Sequence, residues 1–223
     1  MRATVERFRP ELLAAAKEAV GADPFVRLED GTRFAQPAIF CASLAGWEAL
    51  GRPGGDFMAG HSLGELGALV AAGSLRESDG LALVALRGRV MQEAGERAGD
   101  GGMLALMGRG AAEQAPELAD AHGLTVANDN SPQQVVLSGA RSALAAAAAA
   151  ASELGLRPME LDVTGAFHSP MMASAASAFG AALDHVEFRP PSVNVVSAVT
   201  AQSSRSKVVP GGLKLYSWRS TSR

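Results

Sequence analysis

The chain is poor in cysteine, aromatic residues and charge. Its 223 residues include one cysteine, Cys41, and only 5% aromatic and 19% charged side chains. A single cysteine excludes an internal disulfide, and Cys41 has no Cys or His at metal-ligand spacing, so we expect it to pack as a small core residue. The hydrophobic content of 48% is high enough to exclude a mainly disordered chain and to predict one substantial core.

Long hydrophobic runs and a basic surface are also missing. No apolar run approaches the roughly 18 residues of a membrane helix, and the first residues lack the apolar stretch of a signal peptide. The net charge is -3, whereas a nucleic-acid partner normally requires a clustered basic face. We therefore expect a soluble, cytoplasmic monomer that binds neither a membrane nor a nucleic acid.

The charge pattern changes near the C-terminus. Residues 188–223 carry six basic side chains and no acidic one. Pro210-Gly211-Gly212 disfavours a long helix through this part of the chain. The sequence therefore predicts an atypical basic tail over residues 200–223.

Helical and strand patterns alternate along the rest of the chain. They predict helices over 11–20, 36–50, 66–72 and 81–98, with Pro37 in a first turn and a strand over 57–59. Gly101-Gly102 predicts a break and residues 128–132 a polar turn. Between 102 and 162, short strands alternate with two helices. This order predicts an α/β protein in which a small α+β subdomain, 102–162, is inserted into a larger α/β subdomain, 1–101 and 163–199.

Gly60-His61-Ser62-Leu63-Gly64 matches the pattern G-x-S-x-G between the predicted strand and helix. Glycines at these positions permit a sharp turn that exposes the serine hydroxyl and places it at a helix N-terminus. The backbone N–H of Leu63 could there stabilise an oxyanion on an attacked carbonyl. The alternative interpretation is a purely structural turn.

A nucleophilic serine needs a base, and a neutral imidazole is the usual one near pH 7. His61 adjoins the serine on a sharp turn and should point away from it, while the other two alternatives, His122 and His185, lie at predicted helix ends. His168 lies in a loop directly before a helix that Ser169 caps and Pro170 begins. We therefore favour His168 as the base, with a packing role at the helix entry as the alternative.

Arg87-Gly88-Arg89 follows on the helix predicted over 81–98. A guanidinium near the serine could hold a carboxylate through two parallel hydrogen bonds, and the missing side chain at Gly88 would let another group approach closely. A solvated pair of arginines is the alternative, and for Arg89 it is the interpretation we adopt.

Together these motifs resemble the acyltransferase family of fatty acid and polyketide synthesis, which includes malonyl-CoA:acyl carrier protein transacylases. The resemblance covers roughly residues 30–198. The matching stretches occur in family order: 36–38, 60–65, 87–92, 102–105, 128–139 and 165–172.

This resemblance implies an α/β-hydrolase-like large subdomain with an inserted ferredoxin-like small subdomain. It implies that malonyl passes from CoA to the phosphopantetheine thiol of acyl carrier protein, for fatty acid biosynthesis, with a CoA thioester as substrate and no cofactor or metal. Malonyl-CoA and acyl carrier protein are the implied partners. The implied roles are nucleophile for Ser62, base for His168, oxyanion amide for Leu63, and substrate binding for Arg87, Met91 and Phe167.

The chain departs from the family pattern at two places. A Gly-Gln-Gly loop with a second oxyanion donor is expected before Gln36, and further family segments are expected after Val199. We therefore expect a family member that is truncated at the front and either altered in frame or diverged at the back. Two alternatives stay open: a serine hydrolase or thioesterase of the same fold, against which Arg87 argues, and a catalytically impaired relative.

Overall fold

The structure, a computed structural model, describes residues 1–198 and 200–204. Internal contacts divide these residues into two compact units. The first unit comprises residues 1–90 and 177–204, and the second comprises residues 91–176.

The described residues form helices and strands in an order that mixes both types throughout. The helices are α1 Arg2–Phe8, α2 Pro10–Val20, α3 Thr32–Ala49, α4 Gly64–Ala71, α5 Glu77–Ala98, α6 Ala111–His122, α7 Arg141–Glu153 and α8 Ala173–Leu183. The strands are β1 Phe57–Ala59, β2 Gly101–Met107, β3 Thr125–Ser131, β4 Gln134–Ala140, β5 Arg157–Glu160, β6 Asn194–Val196 and β7 Ser203–Ser204. Short 3-10 helices span Leu28–Asp30 and Pro170–Met172.

The first unit is built on a three-stranded sheet and the helices around it. The strand order is β1-β6-β7, in which β1 pairs parallel with β6 and β6 pairs antiparallel with β7. Helix α3 buries Phe40, Cys41 and Leu44, and α1 and α2 pack against it. The prediction that Cys41 is a core residue is confirmed, and burial raises the pKa of its thiol to about 12.

The second unit contains a four-stranded antiparallel sheet of order β3-β4-β2-β5, and its elements follow the order β2-α6-β3-β4-α7-β5. Because successive side chains of a strand point to opposite faces of the sheet, each face has its own hydrophobic cluster. Leu104, Leu106 and Leu137 lie in one cluster with residues of α6 and α7. Burial of each such leucine contributes about 2 kcal/mol. Met103, Ala105 and Val136 form the second cluster, against which Phe167 packs.

Three local predictions are corrected by the structure. The predicted break after the helix lies at residues 99–100, and Gly101-Gly102 already belong to β2, where a Cβ on Gly101 would lie 2.6 Å from the Ala166 nitrogen. The predicted turn over 128–132 belongs largely to β3, whose register shifts accommodate polar residues, and the turn itself is Pro132-Gln133. Pro37 is the sixth residue of α3, not part of its first turn, because the helix begins at Thr32.

The mixed α/β class is confirmed, while several other expectations stay predictions. The contact-based boundaries lie within α5 and α8, whereas the predicted boundaries lie near 101 and 162, so the predicted subdomain limits stay a prediction. Among the helices that the structure describes, none is both long and apolar enough to span a bilayer. The monomeric state and cytoplasmic location also stay predictions. Most of the predicted tail, 205–223, lies outside the described residues.

Candidate functional site

Ser62 lies on a sharp turn between the end of β1 and the start of α4. Its φ is 53°, in the left-handed region that a non-glycine residue enters at a cost of about 1–2 kcal/mol. Gly60 makes the turn possible, since a Cβ there would lie 2.0 Å from the backbone carbon of Gly64. Leu63 caps α4, so its backbone stands at the positive end of the helix dipole. The predicted strand, sharp turn and helix are confirmed.

Arg87 connects the serine to the first turns of α3. Its Nη2 donates to Ser62 Oγ at 2.9 Å, and its Nη1 donates to Gln36 Oε1 at 2.7 Å. Gln36 Nε2 in turn donates to Thr32 Oγ1 at 2.8 Å. Arg87 is only 5% exposed and Gln36 only 3%. The guanidinium is therefore fixed on one side by a buried amide while its other side reaches the serine.

Burial shifts the pKa values of Arg87 and Glu65. Removal from water lowers the pKa of Arg87 to about 10, and the charge of Glu65 only partly opposes this. Removal from water raises the pKa of Glu65 to about 7, although a backbone hydrogen bond from Ala198 and the charge of Arg87 act in the other direction. The charge of Glu65 thus offsets only part of the cost of burying the Arg87 guanidinium.

His168 lies in the second unit, in the loop before the 3-10 helix Pro170–Met172. Its φ is 59°, so it too has a left-handed backbone. Ser169 caps the helix as predicted, since its Oγ accepts from the Met171 N–H at 3.3 Å. Arg89 is exposed, as expected of a solvated arginine, and so is His61.

The structure brings Ser62, Leu63 and Arg87 together in the first unit. Met91, Phe167 and His168 belong to the second unit, where Met91 is buried on α5 and Phe167 is half-buried. The close approach expected at Gly88 is made by the backbone at the start of α3. A Cβ on Gly88 would lie 2.7 Å from the Thr32 carbonyl oxygen.

Sequence patterns did not predict that Gln36 and Glu65 would be buried beside the proposed site. A glutamine within the apolar stretch of α3 was the available signal for Gln36, because a buried amide requires hydrogen-bond partners. A glutamate between Gly64 and Leu66, at the start of a helix that is otherwise apolar, was the corresponding signal for Glu65.

Potential metal ligands do not cluster in residues 1–198 and 200–204: no three His, Cys, Asp or Glu side chains there could hold one ion. The expectation that the reaction needs no metal or cofactor stays a prediction.

A serine on a strained strand-to-helix turn is typical of enzymes that transfer or hydrolyse acyl groups. The chain belongs to the family described as the acyl transferase domain, whose sequence model matches residues 10–223. The predicted family is therefore confirmed, and the match extends beyond the 30–198 range of the motifs.

Individual relatives agree with this assignment. The chain is 37% identical over 203 residues to the malonyl CoA-acyl carrier protein transacylase of Salmonella typhimurium, covering 85% of this chain and 65% of that protein. It is 40% identical over 177 residues to the phenolphthiocerol synthesis polyketide synthase Pks15/1 of Mycobacterium marinum, covering 78% of this chain. The crystal structure of the Burkholderia pseudomallei malonyl CoA-acyl carrier protein transacylase superposes with a TM-score of 0.83 at 35% identity, covering 95% of this chain and 75% of that one.

The chain spans only part of the curated relatives. It corresponds to 65% of the Salmonella transacylase and to 8% of the polyketide synthase. The family is thus established, whereas the reaction, substrates and partners of this chain are matters of proposal.

Proposed function

We propose that this chain transfers a malonyl group from CoA to the phosphopantetheine thiol of acyl carrier protein through an ester on Ser62, in fatty acid biosynthesis. The observation that carries the proposal is the 2.9 Å hydrogen bond from Arg87 Nη2 to Ser62 Oγ. It places a buried cation directly beside the proposed nucleophile.

The charge of Arg87 selects the acyl group. Malonyl differs from acetyl by a free carboxylate, and a guanidinium can hold a carboxylate through charge-assisted hydrogen bonds. Because burial disfavours the charge of Arg87, a carboxylate that enters the site regains electrostatic energy lost on folding. A general esterase for neutral acyl groups would gain nothing from this cation, which favours transfer of malonyl over the hydrolase alternative.

The first half-reaction forms the ester. Ser62 Oγ attacks the thioester carbonyl carbon while its proton passes to the imidazole of His168. The carbonyl oxygen becomes an oxyanion, towards which the Leu63 N–H donates. The carbon–sulfur bond then breaks, and the CoA sulfur leaves with the proton from His168.

The second half-reaction reverses these steps with a different thiol. His168 takes the proton of the phosphopantetheine thiol, and the sulfur attacks the ester carbonyl carbon. The bond to Ser62 Oγ breaks, and that oxygen recovers the proton from His168. No electron transfer occurs, so the two steps balance without a redox partner.

Phe167 and Met91 would shape the acyl pocket. The ring of Phe167 packs against the cluster of Met103, Ala105 and Val136, which limits its movement. A ring fixed in this way would crowd the extra methyl group of methylmalonyl. Met91 follows Arg87 by one turn of α5 and is 3% exposed, which suits a rigid wall.

The finer fold description is part of the same proposal. We infer that the first unit is α/β-hydrolase-like, on the support of the parallel pair β1–β6 and the strained serine turn. We infer that the second unit is ferredoxin-like, on the support of its β-α-β-β-α-β order and antiparallel sheet.

A transfer assay tests the proposed function against hydrolysis. The protein is incubated with malonyl-CoA in the presence and in the absence of a carrier protein bearing phosphopantetheine, and malonyl-carrier and free malonate are measured. Transfer predicts malonyl-carrier as the main product and little malonate without the carrier. Rapid malonate release that the carrier does not reduce would instead identify a hydrolase, and no turnover of either kind would contradict both.

A further inference from the structure

The loop before His168 is held in an unusual backbone conformation. His168 has a φ of 59°, which is strained for a residue with a side chain and persists only where the surroundings impose it. The contacts of residues 164–169 therefore determine where the imidazole stands.

Helix α5 contacts this loop backbone to backbone. A Cβ on Gly95 would lie 3.0 Å from the Thr164 carbonyl oxygen and 3.4 Å from the Gly165 Cα. In the other direction, a Cβ on Gly165 would lie 3.1 Å from the Gly95 Cα. Neither position has room for a side chain unless the loop moves.

Strand β2 makes a second close contact with this loop. A Cβ on Gly101 would lie 2.6 Å from the Ala166 nitrogen, and Ala166 itself is fully buried. The loop backbone is thus in close contact with both α5 and β2, which leaves it little room to move when a side chain is added on α5.

Ser169 fixes the other end of the loop. Its Oγ donates to the Ala166 carbonyl oxygen at 2.7 Å and accepts from the Met171 N–H at 3.3 Å, and the residue is 2% exposed. The Phe167 N–H donates to the Gly165 carbonyl oxygen at 2.9 Å. These bonds make residues 165–171 one rigid turn, so a shift at Gly165 is transmitted to His168.

We propose that Gly95 is a positioning residue for the transfer reaction. Because Gly95 has no side chain, α5 can pack directly against the Thr164–Gly165 backbone, and this contact fixes the position of the His168 imidazole. The proposal rests on the proposed function, in which His168 is the base. A methyl group at position 95 presses on the Thr164 carbonyl and displaces His168. Misplacement of a catalytic group by about 1 Å can lower a rate about a hundredfold, so the shift of a few tenths of an ångström that this contact requires should lower it severalfold.

The experiment compares Gly95→Ala with Gly180→Ala. Both are Gly→Ala changes inside helices, but a Cβ at Gly180 would meet no atom within 4 Å. Both changes replace a glycine by a stronger helix former, and thermal melting of both variants distinguishes a loss of rate from a loss of folding. We expect Gly95→Ala to slow malonyl loading of Ser62 by about threefold to tenfold, with KM for malonyl-CoA within about twofold and Gly180→Ala unchanged.

A double-mutant cycle with His168→Ala tests whether the rate loss in Gly95→Ala depends on His168. If Gly95 acts through His168, Gly95→Ala should cause no further loss of loading rate in the His168→Ala background. An equal loss in both backgrounds, or no loss in either, would overturn the positioning role. An unchanged rate in His168→Ala alone would overturn the proposed base, and with it the inference that depends on it.

Ser169→Ala provides a second variant at the other end of the turn. It removes the Oγ that joins Ala166 to Met171, and it replaces Gly95→Ala in the cycle if that variant does not fold. The expected result is the same loss of loading rate in the wild-type background and no further loss in the His168→Ala background. Additive losses in this cycle would also overturn the proposal that the enclosed turn acts through His168.

Discussion

At the scale of single residues, Arg87 uses its two terminal nitrogens differently. Nη1 donates to Gln36 Oε1 at 2.7 Å, within a buried network that reaches Thr32, whereas Nη2 donates to Ser62 Oγ. The hydrogen bond to Gln36 orients the guanidinium independently of Ser62. When a carboxylate arrives, Nη2 can exchange the hydroxyl for it while Nη1 keeps its place, so little reorganisation is needed.

Arg87→Ala should reduce malonyl loading far more than acetyl loading. Charge-assisted hydrogen bonds contribute about 1.5–3 kcal/mol, so kcat/KM for malonyl-CoA should fall by about tenfold to a hundredfold while the slow acetyl reaction changes little. Single-turnover loading with each thioester measures this. Arg89→Ala is the matched control, because Arg89 is exposed two residues away on the same helix. Equal losses for both thioesters would make Arg87 a purely structural residue.

Glu65→Gln should change the pH dependence of stability. The pKa of Glu65 is raised from 4.5 to about 7, so between these pH values the folded protein keeps a proton that the unfolded chain has lost. Stability contributed by this group is therefore lost as pH rises from 4.5 to 7, by about 3 kcal/mol in total. Urea unfolding at pH 8 should show Glu65→Gln to be more stable than the wild type, and the difference should vanish at pH 4.

The exposed Glu18 on α2 supplies the control for this measurement. Glu18→Gln removes the same carboxylate from a solvated position and should leave the pH dependence unchanged. If Glu65→Gln and the wild type have equal free energies of unfolding at both pH values, the Glu65 carboxylate is not desolvated in the folded protein.

At the scale of elements, the turn between β1 and α4 joins a three-residue strand to an eight-residue helix. The helix N-terminus approaches Gly60 so closely that a Cβ would lie 2.0 Å from Gly64 C and 2.5 Å from Glu65 N. This approach forces Ser62 into the left-handed region and turns its hydroxyl towards Arg87. The strain of the turn is thus tied to the position of the proposed nucleophile.

Gly60→Ala should disrupt this turn. The added Cβ meets backbone atoms that cannot rotate away, so the free energy of unfolding should fall by about 1–3 kcal/mol and loading of Ser62 should be largely lost. Gly67→Ala on α4 is the control, because its Cβ would meet nothing within 4 Å and should be neutral or slightly stabilising. Thermal melting and loading rates measure both effects; a Gly60→Ala protein as stable and active as Gly67→Ala would contradict the proposed geometry.

Local sequence patterns predicted helices and the serine turn better than strand limits. The alanines at 145–151 and the apolar face of α5 have strong intrinsic preferences, and α7 and α5 include them. In contrast, Asn128–Ser131 has the composition of a turn, yet pairing with β4 extends β3 through it by means of two register shifts. Such pairing depends on a neighbouring strand, which a local pattern does not contain.

At the scale of the whole molecule, the proposed site residues come from distant parts of the chain. Ser62 and Arg87 belong to the first unit and His168 to the second. Motifs indicated each of these residues separately, because a serine turn, an arginine next to a glycine and a capped loop are visible in short stretches. The link from Arg87 through Gln36 to Thr32 was not predictable, since it depends on how α3 and α5 pack.

The central claim, that Ser62 carries the malonyl group, is tested most directly by isolating the acyl-enzyme. The protein is mixed briefly with radiolabelled malonyl-CoA, quenched in acid and digested, and the labelled peptide is identified by mass spectrometry. We expect label on Ser62 alone, no label on Ser62→Ala, and normal labelling of Ser43→Ala, whose serine lies exposed on α3. Label retained by Ser62→Ala, or found on another residue of the wild-type protein, would contradict this claim.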